Sequence, residues 1–503
     1  MPYMYHIRTT KTSSAATAVQ VVRYKNRKMI IAAHIGSAHN QKELAALKES
    51  ASLWIEKESK QRLLFPRSNS GGANFIQLNK CQYIGVRYGF IYEILTQVIK
   101  HFGFCSLTDK KMFADLALIR IIEPASKLHS LELLDEFFDI HYSRRDFYRY
   151  LPEFVLLKDR VESKILALAK KEFSFDFSLV FYDVTTLYFE TFQSDELRKP
   201  GFSKDNKPQQ PQILMGLIVD AQGFPVAYEI FEGNKFEGHT FIPIIFAFKR
   251  RNNIDKLTVV ADAAMISLDN VKALKAKKLS YIVGARVSNL PIKLINKISS
   301  ELGQKNGKSM RVETEHGSLI CDFSIKRYRK NKSDMDKQII RAEMLLKDPS
   351  RAKRAKFVKG KGSAELELNG ELIKKTTSLL GIKGYYTNLS EKEAGNQLII
   401  KQYHNLWHVE LAFRIAKSDL EIRPIFHFKQ HTIAAHILIC FMALAICKYM
   451  EIKTGKSTRQ IVRILKSITD AKIKNTITGE EMIMRSEITA DIKEMLSKLG
   501  LSY

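Results

Sequence analysis

Cysteine is scarce in this chain, and what there is forms no pattern. The five residues, Cys81, Cys105, Cys321, Cys440 and Cys447, are odd in number, and no two stand in a Cys-x-x-Cys pair. Neither a disulfide framework nor a cysteine-built zinc site is suggested, and a reducing compartment such as the cytoplasm is expected. Long apolar runs are also missing. The strongest, Ile433 to Cys447, contains His436 and is flanked by Lys429 and Lys448. At about 15 residues it falls short of the ~20 that span a bilayer, so a buried core helix is expected and no membrane partner. Met1 to Ser14 is polar and has no apolar stretch of the kind a secretory signal needs. Acidic residues are in short supply: 53 Asp and Glu face 80 Lys and Arg, a formal charge of +27. Such a field concentrates polyanions, which makes nucleic acid the first partner to consider.

What is present is an ordinary globular balance, 45% hydrophobic and 26% charged, spread over 503 residues. That length exceeds one compact core, and about three domains is the starting expectation. Residues 18–35 hold two β-rich runs around Asn26, Arg27 and Lys28, a hairpin pattern, and Lys42 to Gln61 follows as an amphipathic helix. From Gly85 to about Ala169 apolar residues recur at helical spacing, as in Ile91, Leu95, Val98 and Ile99 and in Leu116, Leu118, Ile119 and Ile122. This basic, all-helical region suits a DNA-end-binding domain or a scaffold.

The pattern changes at Phe177. Leu179 to Phe189 is continuously apolar and aromatic, the mark of a strand buried on both faces. Ile213 to Val219 and Pro225 to Phe231 read as two strands joined by the turn Asp220-Ala221-Gln222-Gly223. A helix over His239 to Arg251 follows, with Thr240 as a cap. Then come a strand over Leu257 to Ala261, a helix over Ser267 to Lys278 and a strand over Tyr281 to Val287. This order predicts a mixed α/β sheet. Ser288 to Glu393 alternates short strand-like pieces with the basic runs Lys326 to Lys332 and Arg351 to Lys361, and reads as a β-rich inserted subdomain. Helices are expected from Gly395 to the end. The predicted divisions are 1–70, 71–172, 173–287, 288–394, 395–450 and 451–503.

Two carboxylates sit where carboxylates are costly. Asp183 lies inside the apolar strand Phe-Tyr-Asp-Val-Thr-Thr, and Asp262 at the tip of Val-Val-Ala-Asp. An ionised carboxylate withdrawn from water is unfavourable by several kcal/mol unless compensated, so two in one sheet mark a site, or else cap turns and helices. A third acid, Glu410, lies in Gln402 to Lys417. On a continuous helix Tyr403, Glu410 and Lys417, seven residues apart each, share one face, with Leu406, Trp407, Phe413 and Arg414 near it.

These residues resemble the Asp-Asp-Glu transposases of the fourth insertion-sequence family and its close relatives, whose third acid lies in a Tyr-x2-Arg-x3-Glu-x6-Lys signature. Tyr403, Glu410 and Lys417 match it, while Leu406 stands at the Arg position. Further similar stretches are His34 to Ala38, Ile122 to Lys127, Gly201 to Asp205, Glu232 to Asn234 and Leu420 to Ile425, in order from about residue 18 to 450. The resemblance implies a multidomain α/β chain. Its ribonuclease-H-like core would be interrupted by the insertion, preceded by a helical DNA-binding region and followed by helices. Asp183, Asp262 and Glu410 would be catalytic and would bind Mg²⁺ or Mn²⁺, hard cations suited to oxygen ligands. DNA would be cut at the element's terminal inverted repeats and transferred to target DNA by a homodimer bridging two ends. The enzyme would act in the bacterial cytoplasm, on the nucleoid. Tyr403, Arg414, Lys417 and Lys204 would contact DNA, and Trp407 would stack on a base or else be an ordinary core residue. Arg198, Lys199 and Lys207 share the Ser194 to Gln212 loop with Lys204, a placement suited to backbone contacts or to a solvated loop.

Three other readings compete. A tyrosine recombinase with Tyr403 as nucleophile would leave both aspartates unexplained. A ribonuclease-H-like nuclease without strand transfer differs only in its products, and a catalytically inactive DNA-binding relic only in its activity.

Overall fold

The computed structural model describes residues 4–13, 16–59, 81–265, 267–347, 355–361, 365–476 and 479–503. Along the chain, β1 (Tyr5–Lys11), β2 (Thr17–Lys25) and β3 (Lys28–Ala38) precede α1 (Gln41–Ser59) and β4 (Cys81–Arg87). Five helices follow: α2 (Gly89–His101), α3 (Met112–Ile122), α4 (Lys127–Phe138), α5 (Arg144–Val155) and α6 (Lys158–Phe173). Next come β5 (Leu179–Tyr188), β6 (Gln212–Val219), β7 (Pro225–Glu232), α7 (Gly238–Arg251), β8 (Thr258–Ala261), α8 (Leu268–Ala276) and β9 (Ser280–Ala285). The middle of the chain supplies α9 (Ile292–Leu302), β10 (Ser309–Thr314), β11 (Gly317–Phe323), α10 (Ile325–Lys347), β12 (Val358–Lys361), β13 (Glu365–Leu368), α11 (Gly370–Ser378) and β14 (Ile382–Thr387). The last part holds α12 (Asn396–His404), α13 (Trp407–Arg414), α14 (Gln430–Thr454), α15 (Thr458–Lys466), β15 (Asp470–Asn475), β16 (Glu481–Arg485) and α16 (Ala490–Lys498).

The chain divides into two compact units. The first comprises Met1–Ile94, Glu136–Ile140 and Arg463–Glu494. It contains the expected hairpin: β2 and β3 pair antiparallel, and Asn26 and Arg27 turn the corner at φ 52° and 58°, the left-handed conformation of a tight hairpin. Val19, Val21 and Ile35 form its core with Leu47 and Ala51 of α1. Two expectations fail here. Gly85, read as the start of helices, lies in β4, which pairs with β15. The carboxyl-terminal region, read as helical, holds β15 and β16, because Ala471 and Ile473 alternate with Lys472 and Lys474 in the two-residue period of a half-buried strand.

The second unit comprises Leu95–Asp135, His141–Val462 and Met495–Tyr503. Its centre is an eight-stranded mixed sheet in the order β10-β11-β14-β9-β8-β5-β6-β7. β5 runs parallel to β8 and β8 to β9, while β5, β6 and β7 are antiparallel. β6 is buried along its whole length, as its apolar run Ile213 to Val219 requires.

The segment expected as a β-rich insertion is different in kind. It carries the three helices α9, α10 and α11, and its strands β10, β11 and β14 extend the central sheet through β9. The charge of Lys326 to Lys332 lies on α10, whose buried stripe includes Met335, Ala342 and Leu345. Part of the Arg351 to Lys361 run lies outside the described residues. The most apolar part of α14 is 94% buried inside the protein. Its 25 residues pass the length test for a membrane span, yet it packs against α3, α5 and β7 as a core helix.

Candidate active site

The pairing of β5 with β8 brings the two aspartates together. Tyr182 is level with Ala261 in that parallel ladder, so the next residues lie side by side: Asp183 in the middle of β5 and Asp262 just past the end of β8. Asp183 is largely enclosed, and burial pushes its carboxyl up to about 6. The Lys204 charge and the Val184 N–H, which donates to Oδ1 at 2.7 Å, oppose that rise, while the charges of Glu237 and Asp262 add to it. Asp262 is exposed and accepts a hydrogen bond from the Tyr403 hydroxyl, Oδ1 at 3.1 Å.

Gly284 of β9 makes that bond possible. A Cβ there would lie 2.5 Å from the Tyr403 hydroxyl and 3.1 Å from the Ala263 nitrogen, so only glycine leaves the ring room. The hydroxyl reports on the whole site. It is raised well above its ordinary value by burial first, then by Asp262, and further by the charges of Glu410 and Asp183. All three acids therefore act on one buried oxygen.

Glu410 arrives differently from the way its spacing suggests. The expected continuous helix is broken: α12 ends at His404, Asn405 and Leu406 form a turn, α13 carries Glu410, and Ile415–Asp419 is a π-helical turn. Leu406 N–H bonds to the Tyr403 carbonyl and Val409 N–H to that of Leu406, three-residue steps that tighten the chain. The apolar residues keep helical spacing through the break, so periodicity alone does not reveal it. Glu410 still stands close enough for its charge to act on the Tyr403 hydroxyl. Lys417 goes elsewhere, to Asp205 at 3.3 Å, an ion pair shared with Arg423 at 3.1 Å.

The remaining expected DNA contacts divide. Lys204 lies at the acids, its Nζ 2.6 Å from the Val184 carbonyl and 2.9 Å from Glu237. Trp407 is half exposed, its ring stacked on His408 with centroids 3.9 Å apart, and so is no core tryptophan. Arg414 is exposed on α13. In the loop before β6, Arg198 is buried against Asp195 at 2.7 Å, while Lys199 and Lys207 pair with Glu232 and Glu190. Thr240, expected as a helix cap, is instead buried and bonded to the Tyr182 hydroxyl at 2.6 Å.

Two residues of the site escape the sequence reading. Glu237 follows the Glu232 to Asn234 stretch and lends its charge to Asp183. Lys383 of β14 stands with Nζ 4.6 Å from the Tyr403 ring centroid. Burial and Arg327 lower it, while Asp262, Asp322 and Glu410 oppose that. Its only sequence signal is a lysine preceding the apolar Gly384-Tyr385-Tyr386.

Among the described residues, no three His, Cys, Asp or Glu side chains close into a metal-holding cluster. Asp262 is bonded to the Tyr403 hydroxyl, and the charges of Asp183 and Glu410 reach it. The chemistry of the three acids nevertheless fits a divalent cation. The donors are hard oxygens, and the burial that pushes Asp183 up to about 6, with smaller additions from the charges of Glu237 and Asp262, disfavours an uncompensated carboxylate that a nearby cation would stabilise.

Residues 174–446, more than half of the chain, match the family model described as Transposase DDE domain, and the chain belongs to that family. It is a transposase by family, and such enzymes are in general metal-dependent DNA phosphoryl-transfer enzymes. Among solved structures, the chain is similar to a cryo-EM structure of the piggyBac transposase synaptic complex with hairpin DNA. The identity is 11%, covering 75% of this chain and 77% of that one, with a TM-score of 0.38. No curated protein matches.

Proposed function

We propose that this chain cuts DNA at the ends of its own insertion sequence and joins the freed ends to target DNA, using Asp183, Asp262 and Glu410. The observation that carries the reading is the Tyr403 hydroxyl, which bonds to Asp262 and whose proton affinity, raised first by burial, is raised further by the charges of all three carboxylates. The strand order supports a ribonuclease-H-like core: β7-β6-β5-β8-β9 is a hairpin pair, a central strand and two parallel strands, with Asp183 on the central one. The three acids would hold Mg²⁺ or Mn²⁺, which when bound supplies Lewis-acid activation of the phosphodiester and of the attacking oxygen.

The chain's own groups have separate tasks. Asp183, with a raised proton affinity, is the acid most in need of a cation. Tyr403 orients Asp262 through its hydroxyl. Lys383 places a positive charge beside Asp262 and Glu410, and Lys204 fixes the strand carbonyl next to Asp183. Trp407 and Arg414, both exposed near Glu410 in sequence, are proposed to meet DNA. Lys417 would do so by exchanging Asp205 for a phosphate. A homodimer would hold two ends.

Incubating the purified full chain with DNA bearing its element's ends tests this. Nicking that requires Mg²⁺ or Mn²⁺, followed by joined end–target products, is expected. A covalent protein–DNA adduct would overturn the reading.

A further inference from the structure

Away from the acids, the second unit contains a cavity of about 210 Å³ lined by buried positive groups. Arg120 of α3, Lys127 at the start of α4 and His436 of α14 are each at most 5% exposed. His427 and Arg423 join them from the chain preceding α14. Among the described residues, the Lys127 ammonium has no hydrogen-bond partner, and neither do the Arg120 Nε and the His436 Nδ1. Arg120 donates to the Leu420 carbonyl, at 3.5 Å. Glu421 stands exposed on the cavity wall and, among the described residues, pairs with neither Arg120 nor Lys127.

Folding does not bury like charges together without something to gain from them. A desolvated cation is retained when it is paired, and among the described residues no acid pairs with Arg120 or Lys127. The groups oppose one another: Lys127 is driven down to about 7 by burial and then by Arg120. His427 is driven to about 4 and His436 well below its ordinary value, by burial and then by Lys127 and Arg120. The first turn of the twelve-residue α4 adds backbone N–H groups at Lys127 and Leu128 that have no acceptor within the helix. Exposed rings of Tyr148 and Phe426 stand at the same cavity.

We propose that this cavity binds a phosphate group. A guanidinium fork, an ammonium and a helix amino terminus converging on a space larger than a water are complementary to a phosphate's charge and oxygens. The exposed rings leave room beside it for a nucleotide's sugar or base. The phosphate is either a DNA backbone phosphate or free inorganic phosphate. The inference stands independently of the assignment of the three acids.

The test uses the full chain. Inorganic phosphate is titrated calorimetrically, and affinity for an end-DNA duplex is measured by anisotropy across a salt series. Saturable phosphate uptake is expected, weakened at least about tenfold by Lys127→Met and by Arg120→Met and unchanged by Asp183→Ala. If the phosphate belongs to DNA, Lys127→Met also weakens the duplex and lowers its salt slope by about 1. If it is free phosphate, duplex binding is unchanged. Removing an unpaired buried cation should leave the unliganded melting temperature of Lys127→Met equal to or above wild type, which separates lost binding from lost folding. Absence of saturable phosphate binding by the wild type, or wild-type phosphate affinity in both variants, would overturn the proposal.

Discussion

Asp183 and Tyr403 show how much of this site is decided by single groups. The Asp183 carboxyl has its proton affinity raised from 3.8 to about 6. The protonated form is thus the one the fold prefers, so the stability this group contributes is present at low pH and is lost as pH rises from about 4 through about 6. Asp183→Asn, which keeps the shape without the charge, should therefore melt about 1–3 °C above wild type in metal-free buffer at about pH 8. Mg²⁺ should raise the wild type and leave the variant where it is; a variant that melts lower would show that the carboxylate is compensated by the protein itself. Tyr403→Phe keeps the ring under Lys383 and removes only the bond to Asp262. Its cleavage rate should fall about 10- to 100-fold, by misplacement of the carboxylate, with end-DNA affinity unchanged. The two aspartates were legible in the sequence because a carboxylate in an apolar strand is conspicuous. Lys383 and Glu237 were not, since a charged residue near a strand end or a helix start reads as solvated until its neighbours are known.

Among the elements, β9 and the α12–α13 pair carry the geometry. Gly284 is the point where a strand and a helix approach too closely for a side chain. Gly284→Ala should destabilise the chain by roughly 1–3 kcal/mol through overpacking. The double variant with Tyr403→Phe should recover part of that loss, because the clash is with the hydroxyl. Additive effects in denaturant titrations would show that the ring oxygen is not the obstacle. The sequence predicted most strands and helices between Leu179 and Ala285 to within a few residues, because their periods and turn residues agree. It missed the break at Asn405 and Leu406, where the apolar pattern runs on. It gave no sign that β10, β11 and β14 extend the central sheet, since which strands pair across an intervening α10 is not a local property.

For the whole molecule, charge and topology point the same way. The chain's +27 favours association with DNA whatever the cleavage chemistry, and binding should weaken by on the order of 10³ or more between about 50 and about 200 mM salt. A shallow slope in filter-binding or anisotropy would mean that the charge is spent on internal pairs of the kind made by Lys199, Lys207 and Lys417. The central claim is narrower: one site is built from Asp183, Asp262 and Glu410. Single-turnover cleavage of end DNA in Mg²⁺ by Asp183→Asn, Asp262→Asn and Glu410→Gln, each with its salt-sensitive binding intact, tests it most directly. Each substitution alone is expected to lower the rate by about 10³-fold or more, close to the effect of all three together, as for groups that act as a unit. Cleavage near the wild-type rate in any one of the three would contradict the account.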